Sequence, residues 1–289
     1  MKMGMYTREI RRNTVEELFD EIKRLEFNTV QLDFQSVPEI GEELPLAVDS
    51  GVLRHLKAVL DARGITVAAL NGTFNMCAHD PETRADNITR FETLAKSCAP
   101  LDCDLITLCT GSRNPGYPMR WRYHPDNNTP EAWEDVLWSG HAIGRIAKKY
   151  GIRLGIEIES TLVVGTPEKA IRFFAELGED AEPFGVIYDA SNLYVDGLQT
   201  LESMHELMDR TFKLVGDRVL LAHGKDLLYG EGLRQNGCGL GMIDYDYYLQ
   251  GLKRIGYTEI MIIHGIKNEA DFPYCSNFMK QKLQLNGLW

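Results

Sequence analysis

One cadence recurs along the chain: an amphipathic stretch, a Gly or Asp turn, then a short apolar run that ends in something polar. The apolar runs are KMGMY, TVQLDF, ITVAALNG, DLITLCTG, IRLGIEIE, GVIYD, RVLLAH and EIMIIH. Short apolar runs alternating with amphipathic stretches predict an α/β fold, and eight of them match the strand number of a (β/α)8 TIM barrel. The stretches between them carry helix signals. Thr14 with Glu17 suits a capping box before VEELFDEIKRL, and Thr166 followed by Pro167 gives an N-cap with proline at the first helical position. Further helices are expected over about 50–63, 82–98, 130–150, 198–214, 244–255 and 273–285. This spacing leaves no room for a second domain, so residues 1–289 read as one barrel. The longest irregular stretch, about 110–129, follows the fourth run, on the side where such barrels gather their substrate contacts.

Composition narrows the partners. A formal charge of -11 repels phosphate backbones and anionic lipid, which excludes nucleic acid and a membrane surface as expected partners. The start, MKMGMYTREIRR, has no apolar stretch of signal-peptide length, and no later run approaches the ~20 residues of a membrane helix, so a cytoplasmic location is expected. The cysteines at 77, 98, 103, 109, 238 and 275 form no CxxC pair and read as reduced structural thiols.

The chemistry gathers in the second half. Runs five to eight end in Glu157, Asp189, His223 and His264. Taken singly, each has an ordinary explanation: a carboxylate paired with Arg or Lys, a turn or helix-cap aspartate, a hydrogen-bonded structural histidine. Taken together, parallel strands would bring all four to one end of the barrel, and two carboxylates with two imidazoles make a divalent-metal site. Oxygen and imidazole ligands suit manganese, cobalt, iron or magnesium more than calcium, and the lack of thiolates argues against structural zinc, although a non-structural zinc stays open. Period-two alternation also puts Glu159 on the same side as Glu157.

Several stretches resemble a known family: GIRLGIEIES through GTPEKA, VIYDASN, AHGKD, and GCGLGMIDYDYYLQGLKRIGYTEIMII. The chain resembles the xylose isomerase-like TIM barrel proteins of the sugar phosphate isomerase/epimerase group, which also includes tagatose and psicose epimerases, hydroxypyruvate isomerase, inosose dehydratase and endonuclease IV. The resemblance implies metal ligands at Glu157, Asp189 and His223, with the family's fourth ligand, usually glutamate, replaced by His264. Asn192 stands where many members have a histidine. It further implies a small carbohydrate substrate and a homo-oligomer, since members commonly form dimers or tetramers. His79 resembles a position that lines family pockets, with a helix-capping loop residue as the alternative.

A divalent ion held by these four residues would stabilise the enediolate formed when a proton is removed next to a sugar carbonyl. Glu157 is the implied base, with Glu159 able to serve while Glu157 ligates. Losing the second glutamate makes one-base isomerisation or dehydration better supported than two-face epimerisation. Lys225 and Asp226 suit substrate binding or support of the ligands, with a surface ion pair as the alternative. Arg234 suits a hydroxyl, carboxylate or phosphate through its planar fork, or else is a solvated loop residue. Glycines 237, 239 and 241 read as a mobile loop over the mouth, and Trp121, His124, Trp133 and Trp138 as a possible aromatic wall. The competing functions are an inosose-type dehydratase, an endonuclease IV-like nuclease, which would want a basic groove and more histidines, and a non-catalytic sugar-binding protein.

Overall fold

The computed structural model describes residues 1–115, 122–194, 201–228 and 234–289; Trp121 and the expected start of the helix over 198–214 lie outside them. Among the described residues, nine strands form one sheet: β1 (Lys2–Tyr6), β2 (Thr29–Leu32), β3 (Thr66–Asn71), β4 (Leu105–Cys109), β5 (Arg153–Glu157), β6 (Phe184–Asp189), β7 (Val219–Leu228), β8 (Arg234–Gly237) and β9 (Ile260–Ile263). All pairings are parallel except that of β7 with β8, and β9 pairs with both β7 and β1. Eight strands thus close a (β/α)8 barrel, with β8 an antiparallel strand added to the C-terminal half of β7. The expected mobile loop is instead held at its far end. Gly237 pairs with Lys225, and the buried Asp226 carboxylate accepts the backbone N–H groups of Gly239 (3.0 Å) and Ile243 (2.9 Å).

Among the described residues, eight α-helices alternate with the barrel strands: α1 (Val15–Arg24), α2 (Ser50–Arg63), α3 (Pro81–Cys98), α4 (Pro130–Tyr150), α5 (Pro167–Leu177), α6 (Leu201–Val215), α7 (Tyr245–Arg254) and α8 (Phe272–Leu285). Their ends follow local chemistry. Thr14 Oγ1 accepts Glu17 N–H at 3.2 Å, but the Glu17 carboxylate returns to Asn13 N–H (3.1 Å), one residue earlier than a strict capping box. Thr166 caps α5 through Lys169 N–H at 3.2 Å. Gly64 and Gly151 end α2 and α4 in the left-handed region, at φ of 62° and 65°, where a side chain would be strained.

The main core lies between the sheet and the helices. A second, smaller cluster takes Ala69, Leu105, Ile187, Leu221 and Ile262 from five barrel strands. Each sits two or four residues before a polar position at its strand's C-terminal end, so strand alternation puts this apolar cluster on the same side as Asn71, Cys109, Asp189, His223 and His264. It is the dry floor on which the polar groups stand.

Candidate metal centre

Parallel register brings the four expected residues together. Asp189 and His223 are direct partners across β6 and β7, Glu157 ends β5 beside Ile187 of β6, and His264 follows β9, its N–H bonded to Gly224 O at 3.1 Å. One ligand-type atom from each of Glu157, Asp189, His223 and His264 lies within 4.8 Å of all the others. No other group of three or more such residues occurs among the described residues. His55, His141 and His205 sit on helices, paired with Glu16, Asp180 and Asp244 at 3.0, 2.9 and 2.9 Å.

The histidine ring of β7 is oriented from behind. His223 Nε2 lies 2.8 Å from Gln31 Oε1, and Gln31 Nε2 in turn donates to Thr107 Oγ1 at 3.1 Å. The amide's oxygen therefore receives the Nε2 hydrogen, which in the neutral ring leaves a lone pair on Nδ1. That Nδ1 is buried with no hydrogen-bond partner, facing Glu157 Oε1 at 3.6 Å and Asp189 Oδ2 at 3.9 Å. A buried acceptor left unpaired costs free energy, and a divalent cation among these donors would relieve it. The residues present fit a metal of the oxygen-and-nitrogen type.

The other partners are also set. His264 Nε2 lies 3.1 Å from Asp189 Oδ2, its ring edge-on to His223 at 4.5 Å. Burial and the neighbouring His223 push its imidazole down to about 4, so it is neutral at pH 7. Lys225 Nζ is buried, 3.1 Å from Asp189 Oδ2 and 2.6 Å from Asn192 Oδ1. Asn192 Nδ2 donates to Glu157 Oε1. Asp189 Oδ1 accepts Ser191 N–H (2.9 Å) and Oγ–H (2.7 Å). Burial would raise the Asp189 carboxyl, but Lys225, His264 and His223 hold it well below the usual carboxylate range. Glu157 is likewise lowered against its burial, by His223 and Lys225. Glu159, two residues on, goes the other way: burial pushes it up to about 7, and its Oε1 accepts the Thr161 hydroxyl at 3.3 Å.

Glu157, His223 and His264 line a cavity of about 170 Å³, with Glu159, Lys225 and Gln235 at one wall, while Asp189 and Asn192 stand behind that lining. Arg234 does not line it; alternation along β8 gives that place to Gln235. His79 does not line it either. It is exposed just before α3, with Nδ1 3.4 Å from Arg113. Trp133 on α4 is buried against Phe173 of α5, Trp138 is exposed beside Arg84, and His124 caps the turn over Pro125–Asn128, so none of them forms a wall.

The opposite wall was not anticipated. Tyr6 OH donates to Asp33 Oδ2 (2.8 Å), Asn71 Nδ2 to Asp33 Oδ2 (3.2 Å) and to Glu43 Oε1 (3.1 Å), and Arg8 to Glu43 Oε1 (2.9 Å). Tyr6, Asp33 and Asn71 end or follow the first three apolar runs, so the signal that marked runs five to eight was present there too. Arg8 and Glu43 come from irregular segments and carry no periodic signal.

The profile of the xylose isomerase-like TIM barrel family matches residues 19–281. Solved structures similar to this chain include a D-tagatose 3-epimerase-like protein (19% identity, 99% of this chain and 98% of that one, TM-score 0.75). Another is a D-psicose 3-epimerase crystallised in the presence of D-fructose (16% identity, 99% and 100% covered, TM-score 0.70). A third is a xylose isomerase-like TIM barrel protein from Mycobacterium smegmatis in complex with magnesium (14% identity, 100% and 97% covered, TM-score 0.72). At these identities the likeness is one of fold. No curated protein matches the sequence.

Proposed function

Because the chain belongs to the xylose isomerase-like TIM barrel family, we propose that it is a divalent-metal-dependent sugar isomerase or epimerase that moves a proton at the carbon next to a sugar carbonyl. The observation that carries this reading is the four-residue cluster with the unpaired, inward-facing Nδ1 of His223. Glu157, Asp189, His223 and His264 would hold the ion, whose positive charge favours negative charge on a neighbouring carbonyl and hydroxyl oxygen. Two carboxylates on one side of one strand end have been driven apart in proton affinity, the pattern by which acid and base roles are divided. Glu157 stays anionic and takes the proton from carbon or holds the ion, and Glu159 exchanges a proton with the substrate near neutral pH. The apolar floor and the buried Lys225 keep bulk water from the reacting carbon. Sugar epimerases among the structurally similar proteins support a small carbohydrate as the substrate class. The acidic surface and the helix-bound placing of His55, His141 and His205 speak against a nuclease.

Elemental analysis of the purified protein tests this. About one manganese, cobalt, iron, magnesium or zinc ion per chain is expected in the wild type and none in a Glu157→Gln, His223→Ala double variant. Solvent deuterium should then enter ketoses or aldoses in the wild type, and Glu157→Gln alone should abolish that exchange with the fold intact. A metal-free protein that takes up none of these ions overturns the reading.

A further inference from the structure

The metal-facing cavity is small. At about 170 Å³ it falls below the ~300–1,000 Å³ usual for ligand pockets. It does not end at its own wall, however. Glu43 and Thr73 line both this cavity and a second, larger space of about 520 Å³ that runs between the segment 41–44, the turn after β3 and the face of α3. Together the two spaces come within the usual range.

The lining of the second space selects its occupant. Side-chain amides of Gln35, Asn75, Asn87 and Asn114 and the hydroxyls of Thr73 and Thr83 line it, the Asn75 amide being already bonded to Ser112 O and Cys77 N–H. An amide offers a donor and an acceptor side by side, which matches the paired hydroxyls of a sugar ring. Gln35 Oε1 is buried there with no hydrogen-bond partner, a cost that a hydroxyl from a bound molecule would remove. Anions fit poorly. The cation in this groove, Arg90, is already held by Asp86 (2.6 Å) and Glu42 (3.4 Å), and Arg8 at the junction is held by Glu43 (2.9 Å). Glu42 and Glu43 add negative charge of their own.

We propose that the substrate is an uncharged glycoside or disaccharide: its reacting sugar faces the metal cluster, and its second sugar unit lies in this amide-lined groove beyond Glu43 and Thr73. The placing of the reacting unit rests on the proposed function above.

The test uses manganese-loaded protein with D-fructose and a panel of ketose disaccharides (turanose, maltulose, lactulose and isomaltulose). Binding is read by saturation-transfer NMR and turnover by deuterium exchange. Asn87→Trp and, independently, Thr83→Trp fill the groove from the face of α3 without touching the metal cluster. At least one disaccharide should bind about 10-fold more tightly than D-fructose, a difference of ~1.4 kcal/mol. Either tryptophan should erase that advantage and leave D-fructose unchanged. Disaccharides that bind no better than D-fructose, or an advantage that survives both variants, overturn the proposal. Groove-dependent disaccharide binding with no proton exchange on any sugar would sustain the groove and remove the isomerase reading. Exchange on D-fructose without a disaccharide preference would do the reverse.

Discussion

At the scale of single residues, Gln31 governs the cluster through the ring of His223. Its amide fixes which nitrogen of His223 carries hydrogen, through contacts of 2.8 Å to His223 and 3.1 Å to Thr107. Gln31→Leu keeps the size and removes the acceptor, leaving the ring free to turn. Such support for a ligand is typically worth ~10–100-fold in metal affinity, so competition against a fluorescent chelator should show a loss of that order in the variant. An unchanged affinity would mean that packing alone orients the ring. Half of this site was legible in the sequence. Glu157, Asp189, His223 and His264 stand out because each closes an apolar run, where an isolated charge or imidazole is costly unless it is used. Gln31 sits inside its run and reads as a strand residue, and Glu43 reaches the cavity from a segment with no periodicity, so neither position could be placed without the fold.

At the scale of elements, the strand and helix order was legible almost throughout because each apolar run is short and each helix carries its cap. The hairpin strand β8 was not, since RQNG has neither alternation nor β-forming side chains. It exists because β7 runs ten residues, past the barrel rim, and offers a free edge there. Close packing of neighbouring strands sets a further expectation. A Cβ on Gly185 of β6 would lie 2.5 Å from the backbone carbonyl of Arg218, which cannot swing away. Gly185→Ala should therefore destabilise the protein by ~1–3 kcal/mol, seen as a lower urea midpoint. Gly155→Ala on β5 should cost less, because its nearest neighbour is the Cδ1 end of the Ile187 side chain rather than backbone.

At the scale of the whole molecule, two buried or paired acids bound the pH range of stability. Glu9, in the turn after β1, accepts the Gly265 N–H, has its second oxygen buried without a partner, and is pushed up to about 8 by burial. Its folded-state value lies above the ordinary ~4.3, so the stability it contributes is full below that value and is lost as pH rises through 8. Asp180 has the opposite sign. Lys148 and His141 lower it to about 2, so its contribution is present above the ordinary ~3.9 and lost as pH falls through 2. Urea midpoints should fall between about pH 5 and pH 9 in the wild type, and Glu9→Gln should flatten that decline while leaving the acid limb in place. A slope unchanged by Glu9→Gln would assign it to other groups. The net charge of -11 keeps the surface hostile to polyanions, and no helix among the described residues is long and apolar enough to cross a membrane. β9 seals the gap between β7 and β1, and His264 arrives with it. While the chain is being made, everything before Ile260 can form only a curled sheet with two raw margins and a three-quarter site. Four-ligand ion loading and protection from edge-to-edge clumping are therefore bound to the same late event, the arrival of the last stave.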